Sequence, residues 1–227
     1  MALINRNRAN QSLWEEIAED PDQQDLEEDR RGPRFLSWHE QLIEEHFAKI
    51  LRELQISWPH DPQTKDTPKR FARMMMEVCG GRFEPPPDIT VFKNDKVDEL
   101  ITVGPITVRS LCSHHFVPFI GHAYIGYIPR DHIIGLSKFS RIVDWHARRP
   151  QIQEELTTQI YEYILEKLDP LALGVVINAI HFCLIWRGAK DSAQMSTQKL
   201  GGYFKENATA RSEFLSTLSV KPLREMF

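Results

Sequence analysis

The period of the hydrophobic pattern changes near residue 100 of this 227-residue chain. Between Ser37 and Gly81 the apolar residues recur three or four positions apart, whereas short β-rich runs separated by Gly and Pro follow from Leu100. The first spacing is typical of amphipathic helices and the second of strands, and one regular element cannot satisfy both. The chain is therefore predicted to be helical first and mixed afterwards, which is an α+β architecture.

Two amphipathic helices are predicted before the change in period. A Ser-x-x-Glu capping box predicts that the first helix begins at Ser37. The second helix is predicted to begin at Asp66 or Thr67, where a proline follows in the first turn, and to end at Gly80. These helices belong to a predicted N-terminal domain over residues 35–97, and a second domain is predicted over residues 98–227.

Composition limits the classes of partner. Residues 1–34 are mostly Asp, Glu, Gln, Asn and Arg, which predicts a flexible polar and acidic tail. The net charge is −4, so no overall positive field favours nucleic acid or an anionic membrane surface. The sequence shows neither an apolar stretch long enough to span a membrane nor a secretory signal, and the cytoplasm is the expected location.

The second domain is predicted to follow the order β-β-α-α-β-β-α. Its apolar runs differ in length and in their Gly and Pro boundaries, which separates strands from helices. The predicted elements are strands at about 100–111 and 119–128, helices at about 137–149 and 151–168, a long buried strand over 174–186, a shorter strand near 200–204, and a helix around 208–218.

Reactive side chains occur at alternate positions of the long strand, GVVINAIHFCLIW. Because alternate residues of a strand share a face, His181, Cys183 and Arg187 are predicted to point the same way. The opposite face of this strand is almost wholly apolar. The pattern thus predicts one core face and one face that carries a site.

The cysteines can be interpreted in two ways, and one of these is metal binding. An odd number of them, three, argues against a purely structural disulfide framework. Cys112 and His115 have a spacing that suits zinc, and Cys183 is the plausible third ligand, since Cys79 lies on a helix of the other domain. Three ligands would leave one tetrahedral position for water, as in catalytic sites. The alternative is that both cysteines are small buried hydrophobic residues with histidines satisfied by backbone groups.

Polar residues near the starts of two predicted helices suit a nucleotide. Ser137, Lys138 and Arg141 lie near one helix start, where backbone N–H groups and basic side chains favour phosphate. Gln153 and Glu154 lie in the first turn of the next helix, and a carboxylate beside an amide suits the donor edge of guanine. The alternatives are a solvated basic face and, for Glu154, simple complementarity to the helix dipole.

Over residues 37–218 the sequence resembles GTP cyclohydrolase I. Seven motifs in order carry the resemblance: DTP-x-R-x-A (66–72), C-x-H-H-x-x-P-F (112–119), G-x-x-x-x-x-Y-I-P (121–129), I-G-L-S-K-x-x-R-I-V (134–143), A-R-R-x-Q-x-Q-E-x-L-T (147–157), H-x-C-x-x-x-R-G (181–188) and G-x-F-K-x-N-x-x-x-R-x-E-F-L (202–215).

The resemblance implies an activity and a role for each matching residue. Members of the family use zinc to open the guanine imidazole ring of GTP hydrolytically, which yields 7,8-dihydroneopterin triphosphate and formate. The implied roles are zinc ligation by Cys112, His115 and Cys183, acid and base catalysis by His114 and His181, recognition of the guanine edge by Gln153 and Glu154, binding of the triphosphate by Arg70, Lys138, Arg141 and Arg187, and contact with the ribose by Ser137.

The resemblance also implies a fold and an assembly. The fold would be the tunnelling fold, an antiparallel four-stranded sheet with two helices in the order β-β-α-α-β-β, preceded by a helical N-terminal region. The family forms homodecamers of two stacked pentamers with sites at subunit interfaces, which would pair otherwise open sheet edges. The product could enter folate, pterin cofactor or deazaguanine synthesis.

Two departures from the family pattern leave alternatives open. Ser113 stands where the family usually has Glu, and the segment 189–199 is one residue shorter than the usual Ser/Thr-rich loop. One alternative is the same chemistry on another guanine nucleotide, such as dGTP or a less phosphorylated one. Another is a catalytically silent oligomer that binds a nucleotide or a pterin, although a binder would need neither the three metal ligands nor both catalytic histidines.

Overall fold

A computed structural model describes residues 33–218 of the chain, with side chains from Trp38. Its contacts divide the chain into two compact units, Met1–Met76 and Glu77–Phe227. The predicted tail over residues 1–34 lies almost wholly outside the described residues, and the predicted domain boundaries at residues 34 and 97 stay predictions.

The first unit contains two helices, α1 (Pro33–Glu53) and α2 (Thr67–Val78). The last residues of α2, Glu77 and Val78, belong to the second unit. The prediction for α2 is confirmed at its first residue. The prediction that α1 begins at Ser37 is wrong, because the helix already includes that residue. Pro33 is the first residue of α1, and a proline is favoured there because its missing N–H would have no partner in a first turn. The helices pack through the rings of Phe47 and Phe71, which stack 3.7 Å apart.

The second unit is a mixed α and β structure, as predicted. Its strands and helices alternate in the order that the apolar periods indicate, apart from several short additions. The elements are β1 (Val91–Lys93), β2 (Ile101–Cys112), β3 (Pro118–Ile128), β4 (His132–Ile134), α3 (Leu136–Ala147), β5 (Pro150–Gln151), α4 (Gln153–Leu168), β6 (Ala172–His181), α5 (Phe182–Ile185), β7 (Gln194–Gly202), α6 (Tyr203–Glu206) and α7 (Ala208–Ser216).

The main sheet has the strand order β5-β2-β3-β6-β7. The four long strands pair antiparallel with their neighbours, whereas the two-residue β5 pairs parallel with the end of β2. The sheet therefore has five strands instead of the predicted four, because the chain between α3 and α4 returns beside Leu111 and Cys112. A separate two-stranded sheet joins β1 and β4.

The two faces of β6 both meet apolar side chains. Leu173, Val175 and Ile177 belong to the main core, together with buried residues of α3 and α4. Val176 belongs to a second buried cluster, which includes the stacked rings of Phe204 and Phe214. The predicted division into a core face and a site face is thus wrong for most of β6, since the face that carries His181 is also the face of the main core.

β6 ends at His181, whereas the sequence predicts a strand through Trp186. The pairing of β6 with β3 ends at Phe119 opposite His181, and the pairing with β7 ends at Gln194 opposite Ile180. The following residues have no strand beside them, so their backbone groups are satisfied in a helical turn, in which the Trp186 N–H donates to the Phe182 carbonyl over 2.9 Å. Cys183 and Arg187 therefore do not continue the face of the strand.

The predicted short strand near 200–204 is also placed incorrectly. β7 begins at Gln194 and pairs with β6 along its whole length, and Tyr203–Glu206 is a helical turn. Cross-strand pairing makes residues 194–199 a strand although their sequence, QMSTQK, is mostly polar. In residues 33–218, no helix is both long enough and apolar enough to cross a membrane.

His146 makes the stability of the second unit depend on pH. This residue of α3 is buried, and burial, followed by the charge of Arg149, lowers its pKa from 6.5 to about 4. Between about pH 6.5 and pH 4 the unfolded chain binds a proton on His146, whereas the folded chain does not. The stability is therefore complete above pH 6.5 and is lost as the pH falls toward 4.

We expect His146→Phe to remove this dependence. Between pH 7 and pH 5 the free energy of unfolding of the wild type should fall by about 2 kcal/mol more than that of the variant. Urea titrations of both proteins, with a chelator in the buffer, measure the difference. The chelator removes bound metal, so the metal ligands contribute equally to the stability of both proteins. Equal losses in the two proteins would contradict the prediction.

Candidate active site

Cys112 and His115 lie at the turn between β2 and β3. Cys112 is the last residue of β2 and is buried. The Cys112 N–H donates to the Val117 carbonyl and the Phe116 N–H donates to the Cys112 carbonyl, each over 2.9 Å. Phe116 has a positive φ of 52°, which lets the chain reverse direction within this short segment. The turn therefore leaves the His114 and His115 side chains exposed beside a buried thiol.

Cys183 approaches this turn from the helical turn α5. The ligand atoms of Cys112, His115 and Cys183 lie within 4.8 Å of one another. We call these three residues the metal cluster. The predicted metal site is therefore assembled, although Cys183 reaches it from α5 and not from a strand.

The donor set of the metal cluster suits zinc. Tetrahedral zinc has bonds of roughly 2.3 Å to sulfur and 2.0–2.1 Å to nitrogen, so its ligand atoms lie about 3.5–3.8 Å apart. Small side-chain movements from the observed positions achieve this spacing. Burial and the neighbouring Cys112 raise the pKa of the Cys183 thiol, as expected where two thiolates repel each other. A divalent cation offsets that repulsion.

His181 lies at the end of β6, beside the metal cluster in sequence and directly opposite Phe119 in the sheet. Its ring stacks on the Phe119 ring, with centroids 4.8 Å apart and planes at 11°. The His181 Nε2 lies 2.8 Å from the Oε1 of Gln153. Burial lowers the pKa of His181, and the carboxylate of Glu154 partly opposes that shift.

Gln153 and Glu154 are neighbours in sequence but differ in environment. The Gln153 side chain is fully buried, whereas Glu154 is exposed in the first turn of α4. The structure therefore brings Gln153 to His181 and leaves Glu154 open to solvent. The sequence predicts both as one pair that reads a guanine edge, and their different burial separates them.

The predicted phosphate-binding residues lie in several places. Ser137 and Arg141 are exposed on α3, and the Lys138 Nζ donates to the Asp88 carbonyl over 3.1 Å. Arg187 contacts the metal cluster, because its Nη1 lies 2.6 Å from the Nε2 of His115. Arg70 belongs to the first unit, where it donates to the Gln63 carbonyl over 3.3 Å.

His114 lies in the turn beside the metal cluster. Its ring is perpendicular to that of His115, with centroids 6.3 Å apart and an interplanar angle of 81°. The His114 side chain is exposed and is therefore accessible to a ligand bound beside the turn.

Three contributors to the site are absent from the sequence prediction. Phe119 supports the His181 ring, and Thr157 and Thr197 contact the Gln153 backbone and side chain respectively. The pairing of Phe119 with His181 depends on strand register, which the sequence does not reveal. The signals that the sequence carries are that Phe119 and Thr157 each end one of the seven motifs, and that Thr157 lies four residues after Gln153 and so on the same side of α4.

Comparisons with known proteins show similarity to one enzyme family. The family model of GTP cyclohydrolase I matches residues 43–219. The GTP cyclohydrolase 1 of Hahella chejuensis is 46% identical over 156 residues, covering 67% of this chain and 82% of that protein. That of Salmonella gallinarum is 40% identical over 185 residues, covering 80% of this chain and 83% of that protein.

Among solved structures, the apo form of the archaeosine synthase QueF-Like matches 48% of this chain and 97% of its own, at 16% identity. The TM-score of 0.39 is too low to support a fold assignment.

We expect Cys183→Ser to abolish stoichiometric metal binding. The hydroxyl is a much weaker ligand than a thiolate, and two remaining ligands rarely hold zinc. Zinc measured by mass spectrometry after gel filtration should fall from about one ion per chain to below about a tenth. Cys79→Ser is the matched control, because Cys79 lies outside the metal cluster. Full zinc content in Cys183→Ser would show that the metal cluster is not the binding site.

Proposed function

This chain belongs to the GTP cyclohydrolase I family, and from that premise we propose which of its residues perform each part of the reaction. The activity is the hydrolytic opening of the guanine imidazole ring of GTP, which gives 7,8-dihydroneopterin triphosphate and formate. The observation that carries the assignment is the convergence of Cys112, His115 and Cys183.

Zn²⁺ is the cofactor, and Cys112, His115 and Cys183 would hold it. When bound, the ion supplies Lewis acidity, which activates water for hydrolysis near neutral pH. The metal cluster would supply three ligands, one fewer than the four protein ligands of a structural zinc site.

His181 is proposed as the acid that protonates N7 of the guanine ring. Its ring stacks on Phe119, and its Nε2 lies within hydrogen-bond distance of the Gln153 side chain. These contacts support the role because general acid catalysis needs a fixed geometry. His114 is proposed as a second acid or base, and its exposed position in the turn beside the metal cluster supports that role. An imidazole suits both roles because it can give a proton and accept one.

Glu154 is proposed to bind the guanine edge. Its carboxylate can accept from the ring N–H and from the exocyclic amino group, and its exposure leaves it free to do so. Because the chain has a net charge of −4, the triphosphate requires local cations. Lys138, Arg141, Arg187 and Arg70 are proposed for that role, with Ser137 at the ribose.

The fold is proposed to be a tunnelling fold that assembles into a decamer of two pentamers, with sites completed by neighbouring subunits. The sheet supports this proposal because both of its edges are open among the described residues, β7 on one side and the two-residue β5 on the other. Open edges favour pairing with another chain. The proposed location is the cytoplasm, and the proposed use of the product is folate, pterin cofactor or deazaguanine synthesis.

Incubation with GTP tests the activity directly. The purified protein with one zinc per chain should release formate and yield a pterin that fluoresces after oxidation, and a chelator should stop both. Parallel reactions with dGTP and GMP measure the substrate preference, which we expect to favour GTP because the proposed cations bind a triphosphate. Absence of both products from GTP with zinc bound would contradict the assigned activity.

We expect Glu154→Gln to weaken GTP binding. The amide presents donors to the donor edge of guanine, and loss of charged hydrogen bonds should raise KM about 10- to 100-fold. Glu155→Gln is the matched control, because Glu155 is exposed in the same helical turn. Steady-state formate release measures both variants, and equal KM values for the two would rule out the proposed role of Glu154.

A further inference from the structure

The hydrogen bonds of the Gln153 side chain are fully assigned by its surroundings. Its Nε2 lies 2.9 Å from the Ile177 carbonyl, 3.1 Å from the Met195 carbonyl and 3.0 Å from the Thr197 Oγ1. The side chain has no exposed surface. The two amide protons therefore serve acceptors inside the protein, and none is left for a ligand.

A ring of hydrogen bonds fixes the direction of each donor. The Thr157 hydroxyl donates its only proton to the Gln153 backbone carbonyl over 2.9 Å. The Thr197 hydroxyl, 2.7 Å from that of Thr157, must then be the donor of the pair. The Thr197 Oγ1 consequently accepts from the Gln153 amide, which closes the ring. We call Gln153, Thr157 and Thr197 the Gln153 network.

The Gln153 network leaves one orientation for the amide. If the amide were flipped, its oxygen would face the carbonyl oxygens of Ile177 and Met195, which have no proton to donate, and the two amide protons would have only the His181 Nε2 as an acceptor. The Oε1 therefore faces His181. An amide oxygen only accepts hydrogen bonds, so the His181 Nε2, at 2.8 Å, must be the donor.

We infer that Gln153 is a positioning residue, which holds neutral His181 in the tautomer with its proton on Nε2 and so makes Nδ1 the nitrogen that exchanges a proton with the substrate. This inference rests on the proposed role of His181 as the acid. The imidazolium form carries a proton on both nitrogens, gives the Nδ1 proton to N7 of guanine, and is left as the Nε2–H tautomer that Gln153 binds. Phe119, which stacks on the ring, opposes rotation that would exchange the two nitrogens.

The inference assigns Gln153 a different role from that of Glu154. A buried amide whose donors and acceptor are occupied cannot read a guanine edge, whereas the exposed Glu154 can. Loss of Gln153 should therefore slow proton transfer and leave recognition of the base unchanged. Loss of Glu154 should impair recognition of the base.

Solid-state ¹⁵N NMR of the zinc-loaded protein with labelled histidine rings tests the tautomer without reference to catalysis. The His181 signals are identified by their absence in His181→Asn. At a pH where the ring is neutral, the wild type should show the Nε2–H tautomer, and Gln153→Met should show a mixture or the Nδ1–H tautomer. An Nδ1–H tautomer in the wild type, or no change in Gln153→Met, would overturn the inference.

Kinetics separate positioning from base recognition. Gln153→Met should lower kcat about 10- to 100-fold, with KM for GTP changed less than about threefold and with the preference for GTP over ITP, which lacks the 2-amino group, unchanged. Glu154→Gln should alter that preference and leave the His181 tautomer as in the wild type. A raised KM and a lost preference for GTP in Gln153→Met, with unchanged kcat, would show that Gln153 reads the base.

Two further variants keep the test decisive if Gln153→Met fails to fold. Thr197→Val removes the hydroxyl that orients the amide, whereas Thr197→Ser retains it. Thr197→Val should show the mixed tautomer and a lower kcat, and Thr197→Ser should behave as the wild type; identical behaviour of the two would count against the inference. Undiminished kcat in His181→Asn would instead contradict the proposed role of His181, while the NMR result would still decide whether Gln153 sets its tautomer.

Discussion

The hydrogen-bond register of β3 with its two neighbours determines the site. Leu111 lies opposite Pro118, and Phe119 lies opposite His181, so the end of β2, the start of β3 and the end of β6 meet at one end of the sheet. A shift of one residue between β3 and β6 would turn His181 to the opposite face. It would also separate the ring from Phe119 and from the Gln153 amide. Metal binding and proton transfer therefore depend on the same strand pairing.

The end of that pairing is as important as its register. Because β6 loses both neighbouring strands at His181, the chain turns into α5, and this turn brings Cys183 to the ligand atoms of Cys112 and His115. The resulting cluster places two thiols where burial and mutual repulsion raise the pKa of Cys183. A divalent cation reverses this penalty, so metal binding and local folding stabilise each other. The site is thus built to favour a cation although the chain as a whole is weakly acidic.

The sequence was sufficient for the order of the main elements, and the apolar periods define β2, β3, α3 and α4 within a few residues. The Cys-x-x-His spacing with a distant cysteine left metal binding as one of two interpretations, and the resemblance to the family implied the three zinc ligands. Strand ends were not predictable in the same way, because β6 stops and β7 starts where partners do, and the polar sequence QMSTQK of β7 has no strand pattern of its own. The sequence did not predict the environment of Gln153 either, because its hydrogen-bond acceptors come from β6 and β7.

Zinc K-edge X-ray absorption of the zinc-loaded protein counts the atoms bound to the metal and distinguishes sulfur from nitrogen and oxygen. We expect two sulfur ligands at about 2.3 Å and two nitrogen or oxygen ligands at about 2.0–2.1 Å, one from His115 and one from solvent. Substitution of His115 should then remove the imidazole contribution and leave both sulfurs. A zinc ion with no sulfur ligand, or with a complete set of four protein ligands and no solvent, would contradict the account.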